Sequence, residues 1–333
     1  MPNIPLTRGQ FLLPFVGILD EAGAPASSLL EKFRLPSSLE TKSDLYIPVL
    51  PAIRFIEAAQ SIQGIKDFGF QASQRLHYSH LREKTRALIA HSPTLLVALR
   101  HACNWASRED TILRMWMEHD HDHVRVCSGL VGTNGLLHLE HAQWLQNIFS
   151  IYIVRQFAGP DWIPATIAFE THYTPSPATQ SFWPNVRFLS GQHAASISIP
   201  LSYLSLADRS KASYPPPHDH EEGPSGYDMV ELLKLMLPSY LDEGVPTLAE
   251  VAEMAGVSAR TFQRKLSDVD LTYSDILDTV RFENASALLR DTDAKIIEVA
   301  FASGYTDPAH FSRAFRRIVG VTPRQFREQW RPR

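Results

Sequence analysis

A mixed α/β N-terminal region followed by an all-α C-terminal region, the latter made of two helix–turn–helix units joined by a linker helix, is the fold class this sequence predicts. Three observations predict it. Apolar spacing changes from helical to alternating and back between residues 11 and 199; a proline- and glycine-rich interruption spans Tyr214–Gly226; and a near-repeat follows it. At 333 residues and 44% hydrophobic, the chain can bury more than one core. The expected domains are 1–205, a linker at 206–226, and 227–333.

In the first domain, apolar residues at helical spacing predict helices within Phe11–Ala22, Pro51–Ile62 and Pro93–Ala106. Thr111–Met117 and Val124–Cys127 read as strands around a polar His/Asp turn, with Leu136–Leu139 as a third. A helix is expected over His141–Phe157, and later strands over Thr166–Thr171, Val186–Leu189 and Ala195–Ile199.

Composition narrows the function classes. No apolar run is long enough to span a bilayer, and the opening residues lack the basic start and apolar stretch of a signal peptide, so a soluble cytoplasmic protein is expected. Cys103 and Cys127 alone make neither a disulfide framework nor a four-ligand zinc pattern. The net charge of -4 argues against wholesale coating of nucleic acid and leaves a local contact surface open. From Arg313 onward seven arginines face one acid, Glu328, which makes the tail the most basic segment.

The near-repeat lies in residues 247–317. Leu248, Val251, Ala252, Ala255, Gly256, Val257 and Ser258 are echoed by Ile296, Val299, Ala300, Ser303, Gly304, Tyr305 and Thr306. In each copy the apolar and small residues form one helix stripe, and the glycine permits the positive-φ turn into a second helix. Boundary signals agree: Thr247 with Glu250 as a capping box, Ser258 as an N-cap, and Asp307 as an N-cap followed by Pro308. Between the copies, Tyr273, Ile276, Leu277, Val280, Ala287 and Leu288 follow helical spacing from a Thr272/Asp275 start.

If Phe262 and Leu266 face the core of the first unit, then Arg260, Gln263 and Arg264 face outward; if Phe311 and Phe315 do so in the second, Ala309, His310 and Arg313 are exposed. Arginine can pair with guanine, glutamine with adenine, and a small side chain can approach a thymine methyl, so these six are candidate base readers on double-stranded DNA. Lys265, Arg316, Arg317, Arg324 and Arg327 are candidate phosphate contacts. Two such helices in successive major grooves would lie about 34 Å apart.

The run Ile297-Glu-Val-Ala-Phe-Ala-Ser-Gly-Tyr-Thr-Asp-Pro-Ala-His-Phe-Ser-Arg-Ala-Phe-Arg-Arg-Ile-Val-Gly-Val-Thr-Pro-Arg-Gln-Phe326 resembles the signature of the AraC/XylS family of bacterial transcription regulators, and the resemblance covers residues 228–330. It implies two helix–turn–helix units, a homodimer, an effector bound by the N-terminal domain, contact with RNA polymerase, and activation rather than repression. The six candidate base readers fall where that family reads bases. Ala309 offers no hydrogen bond, which implies less specificity from the second unit. The first two hundred residues resemble in layout the arabinose-binding-type, non-cupin sensor domain of a subgroup of that family, which implies a small molecule or second messenger as effector.

Other residue clusters invite chemistry. His119, His121 and His123 resemble a metal cluster, but a tight turn between strands accounts for them more simply, and His218 and His220 sit in the linker without a scaffold; no metal site and no cofactor are expected. Tyr78, Arg82, Lys84 and Arg86 concentrate cations beside an aromatic ring, as an anionic effector would require, though a solvated helix face is the plainer reading. Trp105, Trp116, Trp144 and Trp162 can line a pocket or fill a core. No nucleophile elbow, phosphate-cradling loop or H-E-x-x-H motif occurs, so an enzyme is not expected. A constitutive architectural DNA-binding protein and an enzyme with a regulatory DNA-binding domain are the alternatives.

Overall fold

The computed structural model describes residues 4–41, 44–133, 138–207 and 227–330. The expected linker at Tyr214–Gly226 and the first half of the expected strand at Leu136–Leu139 lie outside them; His138 and Leu139 are described and form no strand, Leu139 leading directly into the helix that begins at Glu140. The chain divides into two units: the described residues of Thr7–Phe33 and Pro51–Gly226 form one, and those of Met1–Leu6, Arg34–Leu50 and Tyr227–Arg333 form the other. The second grouping differs from a simple division near residue 205, because two N-terminal segments pack with the C-terminal helices.

The α/β unit begins after a short strand β1 (Leu6–Arg8) with α1 (Leu13–Glu21) and α2 (Ala26–Lys32). After β2 (Tyr46–Pro48) come α3 (Val49–Gln63), α4 (Phe68–Ser73), α5 (Glu83–Ala90) and α6 (Leu95–Glu109). The hairpin β3 (Leu113–Asp120) and β4 (His123–Leu130) is followed by α7 (Glu140–Ala158), β5 (Thr166–Ala168), α8 (Pro177–Phe182), β6 (Arg187–Leu189) and β7 (Ala195–Pro200). The sheet order is β3-β4-β7-β5-β6, antiparallel except for the β5/β6 pair. The strand expected over Thr166–Thr171 ends at Ala168, where the Phe169 N–H turns to the Leu189 carbonyl.

Trp144, Ile148 and Ile151 of α7 share a core with Val126, Ile167, Ile197 and Ile199 of the sheet and with Leu95, Leu99 and Ala102 of α6. Two polar residues that α7 buries are paired, as burial requires: Gln146 accepts from the Ser128 hydroxyl at 2.8 Å, and Asn147 donates to the Ala168 carbonyl at 3.2 Å. Cys127 and Trp144 are core residues. Burial pushes the Cys127 thiol up to about 12 and the Cys103 thiol to about 11, so neither is a thiolate near neutrality.

The helical unit contains α9 (Met229–Met236), α10 (Leu248–Met254), α11 (Ala259–Ser267), α12 (Tyr273–Asp291), α13 (Ile296–Ala302), α14 (Pro308–Val319) and α15 (Pro323–Trp330). Two cores form. One gathers Leu233, Met236, Val251, Ala252, Phe262 and Leu266 with Ile4, Leu6 and Tyr46; the other gathers Val299, Ala300, Tyr305, Phe311, Phe315 and Phe326. The N-terminal segment is tied down by hydrogen bonds: Glu243 accepts from the Ser37 and Ser38 N–H groups at 2.6 and 2.8 Å, and buried Ser239 donates to the Tyr46 carbonyl at 2.6 Å.

Helix α12 contributes Ile276 and Val280 to the first core and Ala285 and Leu289 to the second. At 3.6 residues per turn these two pairs point in directions about 180° apart, so the helix buries opposite faces at its two ends. The sequence expectation of one continuous stripe through Ala287 and Leu288 is corrected accordingly: both are only half-buried.

The two turns are built alike. The Val257 N–H reaches the Ala252 carbonyl and the Tyr305 N–H reaches the Ala300 carbonyl, both at 3.0 Å, around Gly256 at φ +67° and Gly304 at φ +78°. Their surroundings differ. A Cβ on Gly256 meets nothing within 4 Å, whereas one on Gly304 lies 2.9 Å from the Leu241 carbonyl oxygen. In equilibrium urea unfolding, Gly256→Ala is expected to cost about 1–2 kcal/mol from its backbone angle alone. Gly304→Ala is expected to cost about 2–4 kcal/mol because the clash adds to it. Equal losses would contradict the close approach.

Candidate nucleic-acid interface

Side-chain caps mark the starts of α10, α11, α12 and α14. Thr247 and Glu250 cap α10 reciprocally, the Thr247 N–H donating to the Glu250 carboxylate at 2.7 Å and the Glu250 N–H to the Thr247 hydroxyl oxygen at 3.3 Å. The Thr261 N–H donates to the Ser258 hydroxyl at 3.2 Å to start α11. Thr272 and Asp275 form the same box on α12. At α14, Asp307 accepts from the Ala309 and His310 N–H groups, both at 3.0 Å, with Pro308 in the first turn. Those two backbone donors hold the Asp307 carboxyl below its ordinary range.

The buried pairs fix which face each helix turns outward. On α11, Phe262 and Leu266 are buried and Arg260, Gln263 and Arg264 are exposed. On α14, Phe311 and Phe315 are buried and Ala309, His310 and Arg313 are exposed. Among the candidate phosphate contacts, Arg316, Arg317 and Arg324 are exposed, while Lys265 and Arg327 are half-buried. The Arg327 Nη2 donates to the Ala294 carbonyl at 2.6 Å, which ties α15 to the α12–α13 connection. Exposed ion pairs hold others in place: Arg317 lies 3.4 Å from Asp278, Arg313 3.9 Å from Asp307, and Arg324 3.1 Å from Glu328. Such pairs contribute little in water and exchange readily for a phosphate.

Two residues that sequence reasoning missed brace the second turn from α12. Arg281 donates to the Gly304 carbonyl at 3.0 Å and lies over the Tyr305 ring at 5.1 Å; Asn284 donates to the Ala302 carbonyl at 2.9 Å. Their i, i+3 spacing places two polar side chains on one helix face, and that was the available signal.

In the α/β unit, the Tyr78 hydroxyl donates to the Arg86 carbonyl at 3.1 Å, the Arg86 Nε donates to the Leu81 carbonyl at 3.0 Å, and the Lys84 ammonium lies 5.0 Å from the centre of the Trp105 ring. The Arg82 N–H donates to Glu109 at 3.1 Å. This segment folds its polar groups onto itself and onto α6. The histidines at 119, 121 and 123 belong to the β3–β4 hairpin, with His121 at φ +51° in its turn.

Residues 251–329 match a family model described as a helix-turn-helix domain, and that part of the chain is such a domain. The HTH-type transcriptional regulator VqsM of Pseudomonas aeruginosa is 34% identical over 98 residues, 29% of this chain and 30% of that protein. The HTH-type transcriptional activator RhaS of Escherichia fergusonii is 37% identical over 79 residues, 23% and 28% of the two chains. A crystal structure of the transcriptional regulator CdpR from Pseudomonas aeruginosa aligns with 90% of this chain and 96% of that one, at 18% identity and a TM-score of 0.36. The chain spans less than a third of the length of these two curated relatives. Among the described residues, no helix is long and apolar enough to cross a membrane.

The Asp307 cap has a pH signature. Its folded carboxyl titrates below an unfolded value of about 3.9, so the stabilisation is complete above that value and is lost as pH falls through the folded one. Thermal unfolding from pH 7 to pH 2 should therefore show wild type more stable than Asp307→Asn at neutrality, with the gap closing in acid. A gap that does not narrow as the pH falls would contradict the charged cap.

Proposed function

We propose that this protein is a sequence-specific DNA-binding transcription regulator in which α10–α11 and α13–α14 are two helix–turn–helix units and α11 and α14 enter successive major grooves. The observation that carries this reading is the exposure of Arg260, Gln263, Arg264, Ala309, His310 and Arg313 on the faces opposite the buried Phe262/Leu266 and Phe311/Phe315 pairs. Arginine, glutamine and histidine there can reach base edges, and the exposed Arg316, Arg317 and Arg324 can meet phosphates. The match over residues 251–329 and the names of the relatives support the reading. The resemblance of Ile297–Phe326 to the AraC/XylS signature extends it to a homodimeric activator that contacts RNA polymerase, with the α/β unit binding a small-molecule effector.

Binding measured by mobility shift across a randomised DNA library and a salt series tests it. Arg264→Ala should cost about 1–3 kcal/mol at one base position and relax specificity there. Arg316→Ala should weaken binding to all sequences alike and reduce the salt slope by about 0.9. A uniform loss from Arg264→Ala would contradict base reading by α11.

A further inference from the structure

The α/β unit holds a cavity of about 670 Å³ whose lining includes Phe33, Arg54, Glu57, Gln60 and His138. Arg54 and Glu57 lie three residues apart on α3 and face this common space. Neither has a hydrogen-bond or ion-pair partner among the described residues, although the two feel each other's charge. Glu57 is half-buried, and burial raises its pKa despite the opposing influence of His138 and Arg54. A carboxylate partly removed from water with no cation in direct contact carries a cost that Arg54 and His138 offset only in part.

The neighbouring polar groups are already spent. His141 accepts the Gly69 N–H at Nδ1 (3.1 Å), so its proton sits on Nε2, where it meets the Gln60 carbonyl oxygen at 2.9 Å. The Gln60 amide donates in turn to the Ile65 carbonyl. Ligand atoms of His138, Glu140 and His141 lie within 4.8 Å of one another, but this proton placement closes the His141 nitrogen to a cation. Burial, chiefly, lowers His141 to about 4 and keeps it neutral. Gly69 is required for the contact, since a Cβ there would lie 2.5 Å from the His141 Cα.

We propose that this cavity binds the ammonium and carboxylate groups of a free α-amino acid, with Arg54 holding the carboxylate, Glu57 holding the ammonium, and Phe33 forming an apolar wall for the side chain. The planar guanidinium fork suits a carboxylate, and Glu57 supplies charge-assisted acceptors to the ammonium. A ligand with one charge leaves the other residue uncompensated, and a neutral ligand leaves both. The proposal rests on the reading of the α/β unit as the effector-binding part and names its ligand class.

Titration calorimetry and thermal shift on the full chain test it, using the common L-amino acids, a dicarboxylate, a diamine and neutral sugars, with wild type, Arg54→Gln and Glu57→Gln. At least one amino acid should bind wild type saturably, and each variant should weaken that binding about tenfold or more. The unligated Tm of neither variant should fall below the wild-type value, because neither side chain has a partner to lose and Glu57→Gln removes a charge that burial disfavours. Amino-acid binding undiminished in both variants would overturn the site. Binding of only a sugar, diamine or dicarboxylate would overturn the ligand class while leaving the effector reading intact. No binding by any compound, with DNA affinity indifferent to all of them, would overturn both.

Discussion

Everything in the helical unit depends on α12 belonging to two cores at once. Ile276 and Val280 are packed with Phe262 and Leu266, and Ala285 and Leu289 with Phe311 and Phe315. The helix is 19 residues long, or about 28 Å. A continuous hydrogen-bonded rod anchored at both ends makes the separation and rotation of α11 and α14 properties of one rigid element. Because the two buried faces are opposed, the two cores lie on opposite sides of that rod.

Polar contacts sharpen the second junction. Arg281 and Asn284 hold carbonyls on both sides of the Gly304 turn, and Gly304 is pressed close to the Leu241 carbonyl. The first turn is open around Gly256, and its α10 instead faces residues from the N-terminal segment: Arg34 lies 3.1 Å from Glu253 and 3.6 Å from Glu250. The same turn sequence therefore sits in two different mechanical settings, one braced by the rod and one by a distant part of the chain.

What was legible in the sequence was what is local. Caps at Thr247, Ser258, Thr272 and Asp307, the two glycine turns, and the Phe262/Leu266 and Phe311/Phe315 pairs depend on residues a few positions apart, and each forms as its chemistry dictates. Periodicity located α1, α3, α6, α7 and the β3–β4 hairpin for the same reason. It failed on the second half of α12 because a helix that changes its buried face has no single period. The joining of residues 34–50 to the helical unit was invisible because it rests on pairs such as Glu243 with Ser37, 206 positions apart. Of the candidate surface, exposure followed from the buried pairs, whereas the tie from Arg327 to the Ala294 carbonyl required the folded geometry.

The most direct test of a rigid two-headed reader is affinity for a series of DNA sites in which the two contacted segments are moved apart. A fixed rod predicts that a half-turn insertion reduces binding to that of one head, and that a full-turn insertion does not restore it, because phase returns while distance does not. Recovery at a full turn, or indifference to spacing, would contradict the account.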